Sequence, residues 1–363
     1  MKVLQVITSL RTGGAEKLVV EMAPIYKQLG VQVDVLLFDG VDTPLKQELL
    51  DLGFNVYELA RGKSVYNPRH ITRLRAFFRE YDIVHSHNAA CQYFTAFARL
   101  LYKGQTKFVT TEHNTNNKRR DVWWIRQVER FVYKRYDSII AISQIATDNL
   151  KRHLNTTKDI LTINNGVDLS KYVTQEPLDR EHIIEVDNDV ILITQVAGFR
   201  EAKDQDTVIR SLKNLPANIH IAFVGDGARQ EICEFLAEEM GVSDRVHFLG
   251  LRSDVPKILK CSDIVVMSSH WEGLSLSSVE GMASGRPMVA SDVQGLREVV
   301  GGAGILFKEG DDKALANEIV KLLSDKSYYN EISMSCLQRA SKYDINIMVE
   351  KYYREYLKLV NLE

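Results

Sequence analysis

Two glutamates, Glu272 and Glu280, flank a Gly-Leu-Ser-Leu-Ser-Ser-Val run inside SSHWEGLSLSSVEGMASGRPMVAS, Ser268 to Ser291. Glutamate is seldom buried without a partner, yet the neighbouring runs CSDIVVMSS and RPMVAS read as strands. The pair therefore faces either water or a ligand. Ser277 can cap a helix here with Glu280 three residues on, a capping box, and that helix would stop at Gly285 with Pro287 beyond it. Glu280 thus has a structural job available. Glu272 precedes the helix and has none. Between the two, the amides of Gly273, Leu274 and Ser275 lie where a helix N-terminus receives phosphate. Carboxylates accept hydrogen bonds from sugar hydroxyls, so the ligand indicated is a diphosphate with a sugar on each side.

Other loops carry matching chemistry. VAGFREAKDQ delivers Arg200 and Lys203 to the carboxyl end of a strand, where two cations would hold a diphosphate and stabilise it as a leaving group. A solvated helix start is the alternative. Gly13 and Gly14 in TSLRTGGAEK, and Gly225 and Gly227 in FVGDGARQ, sit between a strand and a helix. Glycines there let backbone approach a bound group, and a plain tight turn is the competing reading. The third glycine of the dinucleotide fingerprint is missing, which disfavours a dehydrogenase.

The elements that must position these residues alternate short apolar runs with longer helical patterns. VLQVIT is followed by a helix from Ala15 to about Leu29, VQVDVLLF, a helix near Leu45 to Leu52, NVYEL, a helix near Pro68 to Glu80, and DIVHSH. KFVTTEH, a helix from Arg126 to Tyr136, SIIAIS and ILTINNGV come next. From Val190 the alternation restarts with VILITQVAG. Such alternation predicts βα units in parallel sheets, and ligands in such sheets sit outside the strands' carboxyl ends. With 363 residues, two domains are expected, 1–170 and 171–344, joined across the aperiodic stretch near 169–189.

Composition narrows the class. Hydrophobic residues at 45% and charged residues at 26% fit a soluble globular chain. Cys91, Cys233, Cys261 and Cys336 have neither paired nor metal-ligand spacing, so no disulfide framework or metal site is expected and a cytoplasmic setting fits. MKVLQVITSL reads as a buried first strand rather than a signal peptide, and no apolar run approaches the roughly 20 residues of a membrane helix. Up to Asp168 the chain holds 24 Lys and Arg against 17 Asp and Glu, a net of +7; the remainder holds 22 against 31, a net of −9. In the basic half, NKRRDVWWIRQVERFVYKRYD interleaves Lys118, Arg119, Arg120, Arg126, Arg130, Lys134 and Arg135 with Trp123, Trp124, Phe131 and Tyr133. That is the composition of a helix lying on an anionic bilayer. The alternative is a core face through Trp124, Val128, Phe131 and Arg135 with solvated charges behind it.

Taken together, these residues resemble retaining glycosyltransferase family 4, the group 1 glycosyltransferases. Glu272 and Glu280, with seven residues between them, look like its Glu-x7-Glu signature; TGGAEK resembles its first glycine loop, DIVHSHN its His-x-His strand end, INNGVDLSKY its Asn-Gly-Val-Asp segment, and GDG and VHFLG its base-binding loops. The resemblance implies a GT-B fold, two Rossmann-like doubly wound parallel-sheet domains facing a cleft, with a last helix of about 345–363 crossing back onto the first domain. It implies that Glu272 touches the transferred sugar, Glu280 the ribose, Lys203 and Arg200 the diphosphate, and that His113 in TTEHN approaches the sugar. Leu249, in VHFLG, falls in a base-binding loop. The family places its Arg directly after a Gly, five residues before the Lys; here Gly198 occupies that place and Arg200 is the substitute. His113, like His85 and His87, has a purely structural alternative. The reaction implied is sugar transfer with retention from UDP- or GDP-sugar to a glycan or lipid-linked acceptor, with no cofactor and no metal. The partners expected are that donor, that acceptor and an anionic membrane surface at the inner face, with no nucleic acid. A nucleotide-sugar epimerase of related fold and a non-catalytic nucleotide-sugar sensor are the competing readings.

Overall fold

The computed structural model describes residues 1–11, 13–62, 64–113, 122–174, 176–178, 180–184 and 190–361. The chain forms two compact units, Met1–Gly166 with Ile345–Glu363, and Val167–Asp344. In the first, strands β1 (Lys2–Ile7), β2 (Gln32–Leu37), β3 (Val56–Glu58), β4 (Ile83–His87), β5 (Lys107–Glu112), β6 (Ser138–Ala141) and β7 (Leu161–Thr162) pair in parallel in the order β3-β2-β1-β4-β5-β6-β7. In the second, β8 (Ile191–Val196), β9 (Ile219–Val224), β10 (Val246–Phe248), β11 (Ile264–Met267), β12 (Met288–Ser291) and β13 (Ile305–Phe307) pair in the order β10-β9-β8-β11-β12-β13. These are the two Rossmann-like α/β domains of the GT-B fold class.

Strands covered by helices on both faces read as nearly continuous apolar runs. Accordingly β4 is buried at every position, and β1 at every position after Lys2. The core of the first domain lies on both sides of its sheet. On one side Val3, Ile7 and Val35 pack with Val19, Tyr26 and the C-terminal helix. On the other, Leu4, Val6 and Leu36 pack with Leu74, Phe78 and Phe108.

The C-terminal helix, Ile345–Leu359, buries Ile345, Met348, Val349, Tyr352 and Tyr356, an apolar stripe at helical spacing. It packs on the helix Gly14–Gln28, where the rings of Tyr26 and Tyr356 stack with centroids 5.8 Å apart. Its tyrosines also satisfy a buried histidine. The Tyr356 hydroxyl lies 2.5 Å from Nδ1 of His85, whose Nε2 lies 2.8 Å from Thr111 Oγ1.

One sequence expectation is corrected, and one helix was not anticipated. The helix expected over Arg126–Tyr136 runs from Trp123 to Tyr133. It ends early because Asp137 is needed for the next strand, its carboxylate accepting from the Phe108 amide at 2.7 Å and from Arg99 at 2.9 Å. The helix Ala89–Leu100 confines its polar residues Gln92, Thr95 and Arg99 to one narrow stripe and is apolar over the rest of its circumference.

Burial holds the His85 imidazole at about 3, with His113 adding to the effect. His85 is therefore neutral in the fold, whereas the unfolded chain binds a proton at the usual value near 6.5. The stability this contributes is complete above pH 6.5 and is lost as pH falls from 6.5 toward about 3. The melting temperature should fall between pH 7.5 and pH 5, and less steeply in His85→Asn. An equal pH dependence in the variant would contradict the assignment.

Candidate functional site

In the C-terminal domain the strand order reverses at β8, which has β9 on one side and β11 on the other. Right-handed crossovers then send the helices after β8 and β11 to opposite faces, so the loops after these two strands part and leave a crevice. Lys203 stands in the first loop and Glu272 in the second. The structure brings them together: Lys203 Nζ forms an ion pair with Glu272 Oε1, the side chains being 23% and 11% exposed.

Both are held from behind. The Lys203 carbonyl accepts from Gln195 Nε2 and from Ser268 Oγ, each at 3.0 Å. Asp204, at φ +44°, turns the chain and caps the helix Gln205–Ser211 through the Thr207 amide and hydroxyl. On the other side Ser269 Oγ donates to Glu272 Oε1 at 2.8 Å, and the Glu272 amide donates to the Gln294 carbonyl at 3.3 Å. Gly295, at φ +90°, makes that approach possible, since a Cβ there would stand 2.4 Å from the Glu272 carbonyl oxygen.

The remaining expected residues surround this pair unevenly. Arg200 is extended and exposed, and does not join the pair. Gly225 and Gly227, at φ +141° and +154°, press on the β8 loop, where Cβ atoms would meet the Ala197 and Phe199 carbonyl oxygens at 2.3 and 2.5 Å. Only glycine fits both the conformation and the space. The Leu249 amide donates to Phe223, and Gly250 accepts from the Gly225 amide, so this loop belongs to the same cluster.

The capping box expected of Ser277 and Glu280 is not what forms. The helix is Leu276–Ala283 and its cap is Ser275, whose Oγ accepts from the Ser278 amide and hydroxyl. Starting there places Ser278 and Val279 in the core at 0% exposure. Glu280 then lies in the second turn, buried, with no part in capping. Gly273, Leu274 and Ser275 precede this N-terminus.

The N-terminal sheet repeats the reversal at β1 and β4. Gly13 caps the helix Gly14–Gln28 in extended conformation, and space around Gly14 is open. Asn88 Nδ2 ties the loop after β4 to that after β1, donating to Thr8 Oγ1 at 2.8 Å and Glu16 Oε1 at 3.0 Å. His113 follows β5; its Nε2 lies 2.9 Å from His87 Nδ1, and His87 Nε2 lies 2.7 Å from Gln5 Oε1. Burial pushes His113 down to about 4 and His87 well below its ordinary value. Sequence reasoning missed Gln5, Gln195 and Ser269. The first two had a signal, an amide in the middle of an otherwise apolar parallel strand.

On the helix Trp123–Tyr133 the buried residues are Glu129, Val132 and Tyr133. Trp123 is 74% exposed and Trp124 56%, so the core face expected through Trp124 and Phe131 is corrected. Trp124, Ile125 and Val128 instead line an open apolar groove with Tyr93, Phe94 and Phe97. Lys118, Arg119 and Arg120 lie outside the described residues. Among the described residues no cluster of histidine, cysteine and carboxylate fits a metal ion, and no helix is long and apolar enough to cross a membrane.

Residues 12–171 match the family model described as Glycosyltransferase Family 4, and residues 179–338 that described as Glycosyl transferases group 1. The chain is 28% identical over 319 residues to the putative glycosyltransferase EpsD of Bacillus subtilis, covering 82% of this chain and 81% of that one. It is 27% identical to UDP-Gal:alpha-D-GlcNAc-diphosphoundecaprenol alpha-1,3-galactosyltransferase of Escherichia coli, over 77% and 76% of the two chains. The fold is similar to that of Anabaena HepE in complex with UDP, with a TM-score of 0.84, 22% identity, and coverage of 98% and 99%. Both halves of the sequence and both parallel sheets thus point the same way, and the chain belongs to the group 1, family 4 glycosyltransferases.

Proposed function

We propose that this glycosyltransferase takes a sugar from a UDP- or GDP-sugar and passes it, with retention at the anomeric carbon, to a glycan or lipid-linked acceptor in cell-surface polysaccharide or glycoconjugate synthesis. The observation that carries this reading is the Lys203–Glu272 ion pair at the reversal point of the C-terminal sheet. A desolvated cation needs an anionic partner, and Glu272 fills that place until a diphosphate does. The exchange frees the Glu272 carboxylate for hydroxyls of the transferred sugar. Arg200 adds a second cation, the segment Gly273–Ser275 supplies amides, and Glu280 takes the ribose. Gly225, Gly227 and Leu249 line the nucleoside, Gly13 and Gly14 are assigned to donor binding, and His113 to the transferred sugar. The anomeric carbon's bond to the diphosphate oxygen breaks, its bond to the acceptor oxygen forms, and the acceptor's hydroxyl proton passes to the departing phosphate. Charge on the leaving group is met by Lys203, Arg200 and the amides, so the reading needs no metal. Two neighbours support the donor class: the Escherichia coli relative is named for UDP-Gal, and HepE was crystallised with UDP.

The acceptor side of the reading rests on the helix Trp123–Tyr133. Its exposed tryptophans, with Arg126, Arg130, Lys134 and Arg135 around them, suit a peripheral, cytoplasmic enzyme seated on an anionic bilayer. The same Escherichia coli relative is named for a diphosphoundecaprenol acceptor, which would place the reaction at a membrane.

Lys203→Ala should weaken UDP or GDP binding by about 1.5–3 kcal/mol, roughly ten- to a hundredfold, while Glu272→Gln spares free nucleotide binding and lowers sugar transfer. Calorimetric titration of both variants checks this; equal losses of nucleotide affinity would refute the division of roles. In liposome sedimentation the enzyme should bind vesicles containing anionic lipid, release them with salt, and lose binding in Trp123→Ala/Trp124→Ala. Absence of sedimentation would favour a soluble acceptor.

A further inference from the structure

The buried polar chain that ends at His113 begins at an amide with a fixed direction. Gln5 sits on β1 with 1% exposure, and its two ends face different partners. Oε1 lies 2.7 Å from His87 Nε2, and Nε2 lies 3.4 Å from the Tyr356 hydroxyl of the C-terminal helix. A carboxamide oxygen only accepts, and a neutral imidazole has one donor and one acceptor nitrogen. The His87 proton must then be on Nε2, leaving Nδ1 as an acceptor. At 2.9 Å from that acceptor, His113 Nε2 must carry the proton in turn. The remaining nitrogen, Nδ1 of His113, is a bare lone pair, and among the described residues it has no hydrogen-bond partner.

We propose that Gln5 is a positioning residue: through His87 it fixes His113 as the Nε2–H tautomer, so that His113 meets its ligand as a hydrogen-bond acceptor for a hydroxyl and not as a donor. Assigning that hydroxyl to the transferred sugar rests on the proposed function; the tautomer does not. Burial supports neutrality along the chain, since His87 and His113 are both held below their ordinary values by desolvation. The other end of Gln5 has a matching logic. Its NH2 group points at Tyr356, which also accepts from the Tyr26 hydroxyl at 3.4 Å, so the Tyr356 proton is directed to His85 Nδ1 at 2.5 Å. The C-terminal helix therefore holds the amide in the orientation that His113 depends on.

The test is a long-range 1H–15N correlation spectrum of the full chain labelled with [15N]histidine, at pH 7.5 without donor, His113 being assigned by the signals lost in His113→Asn. The wild type should show His87 and His113 each with pyrrole-type Nε2 and pyridine-type Nδ1. In Gln5→Leu the His113 tautomer should become mixed or reversed, and Gln5→Glu, whose carboxylate also only accepts, should restore Nε2–H. A wild-type His113 protonated on Nδ1, an unchanged His113 in Gln5→Leu, or an Nδ1–H form in Gln5→Glu would overturn the proposal. If Gln5→Leu does not fold, the wild-type and Gln5→Glu spectra decide alone. Because the readout involves no donor, loss of the proposed transfer reaction would strike the functional reading and leave this one standing.

Discussion

A parallel sheet whose strand order runs outward in both directions from its first strand must part its loops at one place, and each domain does so. β1 and β4 flank that place in the N-terminal sheet, β8 and β11 in the C-terminal one. Polar groups cluster there because the strands themselves are buried on both faces and leave only their carboxyl ends open. In the C-terminal domain the result is a lysine and a glutamate on opposite loops, neither fully exposed, each completing the other's charge. The hydrogen bonds from Gln195, Ser268 and Ser269 serve to aim them.

The N-terminal domain solves a different problem at the equivalent place. His85, His87, Thr111 and Gln5 are all buried at the centre of the sheet, where unsatisfied polar groups are costly. His85, Thr111 and Gln5 find partners far along the chain, in Tyr352 and Tyr356 of the C-terminal helix, while His87 is met by Gln5 and His113. That helix packs on the first domain through an apolar stripe and completes its polar network as well. A chain ending before Ile345 would leave His85 Nδ1 and Gln5 Nε2 without the Tyr356 hydroxyl.

Much of this was legible in the sequence because it depends on local pattern. Alternating apolar runs marked the strands, and the loops at their carboxyl ends marked Lys203, for which a solvated helix start was the alternative, and Glu272, for which no structural job was available. The misses have physical causes. Three serines near Ser275 could each cap the helix, and the choice was made by packing of Ser278 and Val279, which spacing does not show. The helix Ala89–Leu100 hid because it is apolar nearly all round. Trp124 looked like core at helical spacing, yet lines an open groove, since periodicity reports a face and not what covers it. Gln5 and Gln195 stood in plain view as amides inside apolar strands, but their partners lie 351 and 8 residues away, and only the fold joins them.

Whether Glu272 holds the place of a diphosphate on Lys203 is tested directly by a crystal structure of the protein with UDP or GDP bound. Lys203 Nζ should then lie within hydrogen-bond distance of a phosphate oxygen, about 2.7–3.2 Å, with the Glu272 carboxylate released from it. A bound nucleotide with the Lys203–Glu272 pair intact and its phosphates elsewhere would contradict it.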